Sequence, residues 1–374
     1  MRKLRIAMFM SSHPTQAGGV QEHVLYLSKE LRKNGHSVTL FGPKPKKNMY
    51  VDYRAMGEKV YFPLPTGNHG NVHILSNSDL PENVFIKKKF DIVHIHEPYI
   101  PFAAWNVLEK TLIPKIGTFH TAWDNESAFN ILNPFIPLFK DRFSSTTQGV
   151  IFVSKITQEK WKSLCSRTVI KHIIPNAVDT SLFNPKIHIN KKIKLLFVAR
   201  MVHQKGLYQL LKALCILREK NSNFTLTVIG EGDEKKSNML YVKKHKLGRY
   251  VHFLGEIRGE EKARHFTDSD IFCAPYVNEA ASISVLEAIS SGLPVVGFKM
   301  PIFSDLLKDY PGKELLVDKS ERALAKALEK IIINPVLIQS IKSWCLTKRD
   351  TFSWTTVARQ TEDIYYQVMR KCEK

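Results

Sequence analysis

The chain has 374 residues, of which 44% are hydrophobic and 24% charged, and it carries a formal net charge of +20 at pH 7. That length accommodates two domains, each with its own core, and the composition is that of a globular fold rather than a disordered or fibrous chain. No stretch reaches the ~20 consecutive apolar residues of a membrane-spanning helix, so helical membrane proteins are excluded. The positive excess implies an anionic partner: nucleic acid, an anionic lipid surface or a phosphorylated ligand.

Both halves share the charge, with local clusters at Lys44, Lys46 and Lys47, at Lys87-Lys88-Lys89 and at Lys191-Lys192. A solvated basic surface accounts for any one cluster equally well. Five scattered cysteines (Cys165, Cys215, Cys273, Cys345, Cys372) are odd in number and lack C-x-x-C spacing. Neither a disulfide framework nor a zinc site is expected, and a reducing, cytoplasmic compartment fits. Arg2, Lys3 and Arg5 resemble the start of a signal peptide. The apolar run after them is short and is broken by His13-Pro14 and Gly18-Gly19, so it reads as a first buried strand.

In chain order, residues 4–10 form that strand. Gly18-Gly19 turns into a helix whose Val20, Val24, Leu27 and Leu31 recur at helical spacing, ending at Asn34-Gly35. A second strand covers 38–41. Residues 43–83, rich in Pro, Gly and Asn, read as loops and short strands. Strands follow at 91–95, 115–119 and 149–153, then a helix from about Thr157 and a strand at 170–174, closed by Pro175-Asn176. After a polar linker at 186–192, strands are expected at 194–199, 224–229, 251–254, 270–274 and 294–298, with helices between them. An amphipathic helix is expected at 320–333 and a last helix at 353–369. Continuous Val/Ile/Leu/Phe strands alternating with helices predict an α/β fold: parallel sheets covered on both faces, in two Rossmann-like domains with a cleft between them.

The chemistry gathers at strand ends. Strand 194–199 ends at Arg200, and Lys205-Gly206 follows and opens a helix. Backbone N–H groups and the helix dipole add there to the two cations. Glu279 lies in the loop leaving strand 270–274, and Glu287 inside a helical run. Two cations and two separated carboxylates at carboxyl ends of strands suit a ligand with a diphosphate in its middle and hydroxyl-rich rings at its ends, which describes a nucleotide-sugar. A glycosidase reading fails on distance. Eight helical residues span about 12 Å, whereas hydrolase carboxylates lie about 5 to 9.5 Å apart.

Other features carry less. Gly18-Gly19 lacks the G-x-G-x-x-G spacing of a dinucleotide site. His94 and His96 alternate on one strand and, with Glu97, raise the question of a metal. Asp268-Ser269-Asp270 has D-x-D form but precedes its strand and closes a helix, so capping is its expected role. No protein-bound metal and no resident cofactor are predicted. Residues 84–90 and 129–143 mix aromatic and basic side chains, which suits an anionic membrane interface. A partly buried helix with solvated lysines is the alternative.

Seven segments in order carry a resemblance. They are Gly18-Gly19-Val20-Gln21-Glu22-His23-Val24, His94-Ile95-His96-Glu97-Pro98, Thr118-Phe119-His120-Thr121, Ile174-Pro175-Asn176-Ala177-Val178-Asp179, Gly230-Glu231-Gly232-Asp233, Phe272-Cys273-Ala274-Pro275 with the E-x7-E after it, and Phe352-Ser353-Trp354. With them the chain resembles the retaining glycosyltransferases of family 4, of GT-B fold, and among these the phosphatidylinositol mannosyltransferases of mycobacteria. The resemblance covers nearly the whole chain. It implies an acceptor-binding domain at 1–185, a nucleotide-sugar-binding domain at 186–352 facing it across the cleft, and a crossover helix at 353–374 returning to the first domain.

It further implies transfer of a hexose, of mannose or glucose type, from GDP- or UDP-sugar to a membrane lipid such as an inositol phospholipid or glycolipid precursor. The protein would then sit peripherally at the cytoplasmic membrane face. A soluble or polysaccharide acceptor is the alternative. By the same resemblance Arg200 and Lys205 hold the diphosphate, Glu279 the sugar and Glu287 the ribose, while His120 meets sugar hydroxyls near the reacting carbon. Gly18, Gly19, Ser282 and Ile283 complete the donor site, and Gln21, His96 and Thr121 lie on the acceptor side. Catalysis falls to His120, Arg200, Lys205 and Glu279. One departure stands out: Ala280-Ala281-Ser282 replaces a pattern that usually has a glycine in third place. It leaves donor identity open and admits an inactive relative. A nucleic-acid-binding protein is the rival from another class. Spread charge and a full donor constellation argue against it, so no nucleic acid is expected.

Overall fold

The computed structural model describes residues 2–14, 18–45, 52–63, 69–75, 85, 89–121, 136–185, 192–279 and 282–373. They form two compact units, Met1–Asn176 with Trp354–Lys374, and Ala177–Ser353. Most of the polar linker at 186–192 lies outside the described residues.

The first unit runs β1 (Arg5–Met10), α1 (Gly19–Lys33), β2 (Ser37–Gly42), β3 (Tyr53–Ala55), β4 (Glu58–Pro63), β5 (His69–Ile74), β6 (Ile92–His96), α2 (Ala103–Lys110), β7 (Lys115–Phe119), α3 (Ile136–Thr146), β8 (Gly149–Phe152), α4 (Lys155–Trp161) and β9 (Ile170–Ile173). Seven strands pair in parallel in the order β3-β2-β1-β6-β7-β8-β9. Strands β1 and β6 are buried almost end to end, as parallel strands covered on both faces must be. Between β3 and β6 the short strands expected at 43–83 include β4 and β5, which form an antiparallel hairpin of their own. An aromatic core of Phe9, Phe41, Phe119, Phe143, Phe152 and Trp161 fills one side.

The second unit runs β10 (Ile193–Val198), α5 (Leu207–Lys220), β11 (Phe224–Ile229), α6 (Lys235–Lys244), β12 (Val251–Gly255), α7 (Gly259–Thr267), β13 (Ile271–Ala274), α8 (Ile283–Ser290), β14 (Val295–Phe298), α9 (Pro301–Leu306), β15 (Leu316–Val317), α10 (Glu321–Ile332) and α11 (Pro335–Lys348). Its parallel order is β12-β11-β10-β13-β14-β15. In both units the first strand is flanked by the second on one side and by a later strand on the other. The order therefore reverses at β1/β6 and at β10/β13, and such a reversal opens a ligand crevice at the carboxyl ends of the strands. Helices α2, α9 and α11 go beyond the elements expected from sequence.

The last helix, α12 (Trp354–Glu373), belongs to the first unit and packs on α1. Val357, Ala358, Thr361, Ile364, Tyr365 and Val368 are its buried face, at helical spacing. Glu362 accepts from Asn34 Nδ2 at 2.7 Å and pairs with His36 at 3.2 Å, pinning the helix to the end of α1. GT-B is thus the fold: two Rossmann-like units, with the C-terminal helix returned to the first.

Candidate functional site

In the second unit the donor residues expected from sequence gather at the β10/β13 reversal. Arg200 follows β10 and is exposed. Its turn is held by the Met201 N–H donating to the Glu231 carbonyl at 2.8 Å. Gly230 is what permits this approach: a Cβ there would lie 2.0 Å from the Ala199 carbonyl oxygen. Lys205 forms an ion pair with Glu279 and lies 5.3 Å above the Tyr276 ring. The backbone fixes this meeting, because Val277 and Asn278 N–H both donate to the Gln204 carbonyl, at 2.9 and 3.2 Å. Gly206, at φ +70°, starts α5, and a Cβ on it would fall 1.8 Å from the Pro275 carbonyl oxygen. Only glycine fits such a contact in the left-handed region.

Glu287 is buried on α8 and pairs with Lys262 of α7 at 2.6 Å. Burial of a carboxylate demands such a partner. Ser282 caps α8: its hydroxyl accepts from Val285 N–H at 3.4 Å and donates to the Tyr276 hydroxyl at 3.1 Å. The hydroxyl that the resemblance offers to the donor is therefore engaged within the unit. Ile283 opens the helix beside it. Ala280 and Ala281 lie outside the described residues. Asp268 stands at the C-terminal end of α7, and Asp270 accepts from Lys194 N–H at 2.8 Å, so neither is arranged as a metal motif.

In the first unit Gly18 caps α1, and the Gln21 amide folds back so closely that a Cβ on Gly18 would meet its Oε1 at 2.3 Å. Gly19 is the first helical residue, and Gln21 is buried one turn in. Two residues on, His23 meets His96 of β6 and His120, which follows β7. Its ring lies 4.6 Å from His120 and 5.6 Å from His96, centroid to centroid. His96 Nδ1 and His120 Nε2 share a hydrogen bond of 2.9 Å, and His23 Nδ1 is bonded to Asn176 Oδ1 at 3.0 Å. His94, behind them, is bonded to Tyr365 and Thr118 at 2.7 and 2.6 Å. It is a satisfied core residue.

Burial pushes all four imidazoles down, His23 to about 4, His94 to about 3, and His96 and His120 well below the ordinary histidine value. They are neutral at pH 7. His23, His96 and His120 each bring one ring nitrogen within 4.8 Å of the others, close enough to suggest a metal. The His96–His120 hydrogen bond uses one nitrogen of each ring, and His96 Nε2 is buried without a hydrogen-bond partner.

Glu97 follows β6 at φ +57°. It accepts from the His120 N–H at 3.0 Å and from the Thr121 hydroxyl at 3.1 Å. Burial raises its carboxyl to about 8, against those two hydrogen bonds, which lower it. Thr121 is also bonded to the Tyr99 hydroxyl, and its carbonyl accepts from Trp161 Nε1 at 2.7 Å.

The segments expected at a membrane interface fare differently. Phe85, Phe90, Phe139 and Phe143 are buried in the core, so these aromatics are not a surface. Apolar burial outweighs the interfacial pattern. The remaining residues of 84–90 except Lys89, and residues 129–135, lie outside the described residues.

Two family models cover most of the chain. The Glycosyltransferase Family 4 model matches residues 17–182, and the model of Glycosyl transferases group 1 matches 179–343. The chain is a family 4 glycosyltransferase. The phosphatidyl-myo-inositol mannosyltransferase of Mycolicibacterium smegmatis is 26% identical over 376 residues, covering 98% of this chain and 94% of that protein. A phosphatidylinositol N-acetylglucosaminyltransferase component of Homo sapiens is 24% identical, covering 94% of this chain and 73% of its own. Among solved structures, Anabaena Alr3699/HepE in complex with UDP matches at a TM-score of 0.76 with 15% identity, covering 96% of this chain and 98% of that one.

Sequence reasoning places the glycosyltransferase's strand-end residues but misses their partners. Lys262 lies 25 positions before Glu287 with no motif around it. His23 and Asn176 stand inside the matching segments, yet nothing local says that α1 and the β9 end bring them together. The sequence presents Glu97 as an adjunct to a metal rather than as a brace.

Proposed function

We propose that this glycosyltransferase is a retaining hexosyltransferase that moves mannose or glucose from a GDP- or UDP-sugar to a hydroxyl of a membrane lipid, an inositol phospholipid first. The observation that carries the donor reading is the Lys205–Glu279 pair, tied to Gln204 by two backbone hydrogen bonds beside exposed Arg200. Lys205 and Arg200 would hold the charge that grows on the leaving phosphate, where loss of one such donor costs about 3 kcal/mol. Glu279 would turn to the sugar when the diphosphate takes its place at Lys205. Glu287 would bind the ribose and His120 the sugar hydroxyls. UDP in the Anabaena relative is in keeping with a nucleotide at this fold.

The retaining outcome is taken from the family resemblance, and what is placed near His120 bears on its route. The carboxyl touching it, Glu97, has both oxygens engaged and is raised to about 8 by burial, which makes it a poor nucleophile. Departure and attack on one face, with the leaving phosphate taking the acceptor proton, need no protein nucleophile. The protein would require no cofactor or metal of its own and would work peripherally at the cytoplasmic membrane face. The lipid acceptor is favoured because the mycolicibacterial and human relatives are both named for phosphatidylinositol.

The test is transfer from GDP-mannose, UDP-glucose, UDP-galactose and UDP-N-acetylglucosamine to phosphatidylinositol vesicles or to free inositol, with product anomers read by NMR. An α-linked lipid product is expected. A β-linked product would overturn retention, and transfer to inositol alone would favour a soluble acceptor. No transfer with any donor would indicate an inactive relative.

A further inference from the structure

We propose that Glu97 is the positioning residue that sets His120 and Thr121 together, so that one buried carboxyl aligns the sugar-facing and acceptor-facing groups. This rests on the transferase reading above. Its two oxygens divide between consecutive residues: Oε1 takes the His120 N–H at 3.0 Å and Oε2 the Thr121 hydroxyl at 3.1 Å. The strand end they grip is where β7 stops and side chains point to chemistry. Glu97 is itself held. Its N–H donates to the Thr118 carbonyl at 2.9 Å, and its carbonyl accepts from Ile100 N–H at 3.1 Å.

It also adopts φ +57°, a conformation a non-glycine residue keeps only when its surroundings enforce it. Such strain is tolerated where the side chain must be aimed. The grip extends outward on both sides. His120 continues to His96 through the 2.9 Å imidazole hydrogen bond. Thr121 continues to Tyr99, whose ring stacks on Trp161 at 4.6 Å, and Trp161 donates back to the Thr121 carbonyl. Released from Glu97, the His120–Thr121 turn keeps neighbours but loses its common anchor.

Glutamine retains a carbonyl oxygen for the His120 N–H and an amide N–H that donates to the Thr121 hydroxyl, reversing the present bond, whereas alanine retains neither. The experiment therefore compares Glu97→Gln and Glu97→Ala in the full chain, with Thr121→Val removing only one arm. Two readouts are taken. Steady-state transfer from GDP-mannose to phosphatidylinositol vesicles should show kcat down about 100-fold in Glu97→Ala, the usual consequence of roughly 1 Å of misplacement. KM for GDP-mannose should be little changed, and Glu97→Gln should be close to wild type. Long-range 1H–15N spectra of ¹⁵N-histidine protein should show the His96–His120 hydrogen bond in wild type and Glu97→Gln, and its loss in Glu97→Ala.

Equal kcat in wild type and Glu97→Ala, or an undisturbed imidazole pair in Glu97→Ala, would overturn the proposal. If Glu97→Ala fails to fold, Thr121→Val and Glu97→Gln decide: full activity in Thr121→Val, or loss of the imidazole bond in Glu97→Gln, would overturn it. A wild-type protein that transfers nothing from GDP-mannose, UDP-glucose, UDP-galactose or UDP-N-acetylglucosamine would refute the transferase reading, while the spectra would still judge Glu97.

Discussion

The two units hold their candidate-site residues in opposite ways. The first buries four imidazoles and a carboxyl among uncharged partners, and burial drives all five toward their neutral forms. The second places opposite charges against each other, Lys205 with Glu279 and Lys262 with Glu287. Neutral groups fixed by hydrogen bonds orient hydroxyls without attracting a counter-ion. On the function proposed above, the Lys205–Glu279 pair would open and hand its cation to an arriving anion. The first unit would then offer an aligning surface and the second a charge-exchanging one.

The sharpest way to break this contrast is to remove the exchanging cation. Lys205→Ala should lower transfer by about 10²- to 10³-fold, as for loss of a preorganised donor, and should leave a buried-edge Glu279 that repels diphosphate. Undiminished turnover would mean the cation does not serve the donor. Next comes the backbone beneath it. Gly206→Ala sets a Cβ against the Pro275 carbonyl in the left-handed region, and strain of this kind costs at least ~2 kcal/mol. Chemical denaturation should show that loss, and a neutral result would mean the α5 start relaxes freely. In the first unit, His94→Phe strands two buried hydroxyls, Tyr365 and Thr118. A penalty of about 1–3 kcal/mol is expected.

A pH series separates two groups within the first unit. His23 is lowered from its ordinary 6.5 to about 4, so its folded form favours the neutral ring. Its contribution is complete above pH 6.5 and is lost as pH falls toward 4. Glu97 runs the other way: raised from 4.5 to about 8, it contributes fully below 4.5 and loses that as pH rises through 8. Thermal melts of His23→Phe should fall less steeply below pH 6.5 than wild type, and those of Glu97→Gln should decline less between pH 4.5 and 8. Unchanged slopes would show that other groups set the pH range.

The smallest effect is at Ser282. Glycine at an N-cap costs only a few tenths of a kcal/mol, and loss of the bond to the buried Tyr276 hydroxyl adds to it, so Ser282→Gly should cost about 1 kcal/mol. If its Cβ crowds the donor, donor KM should fall.

Much of this is legible in the sequence, for a physical reason. Arg200, Lys205 and Glu279 sit where apolar strands stop, and strands of this kind announce themselves by composition. Gly206 and Gly230 mark contacts that no side chain tolerates. What stays hidden is contact between distant segments. His23, His96 and His120 meet because β6 and β7 pair in register and α1 lies against them, and spacing along the chain does not encode that. Glu97 is in plain view, but its residue type alone points to a metal. Its role depends on which backbone it touches. Phe85, Phe90, Phe139 and Phe143 show a similar limit, since composition alone does not distinguish a buried aromatic from an interfacial one.

The most direct test of the donor cradle is differential scanning fluorimetry with GDP-mannose, UDP-glucose, UDP-galactose and UDP-N-acetylglucosamine on wild type, Lys205→Ala and Glu97→Gln. A ligand that binds only the folded chain raises its melting temperature. One donor should raise it in wild type and in Glu97→Gln, and not in Lys205→Ala. No rise with any donor, or an equal rise in Lys205→Ala, would contradict the assignment of the second unit's ion pair to nucleotide-sugar binding.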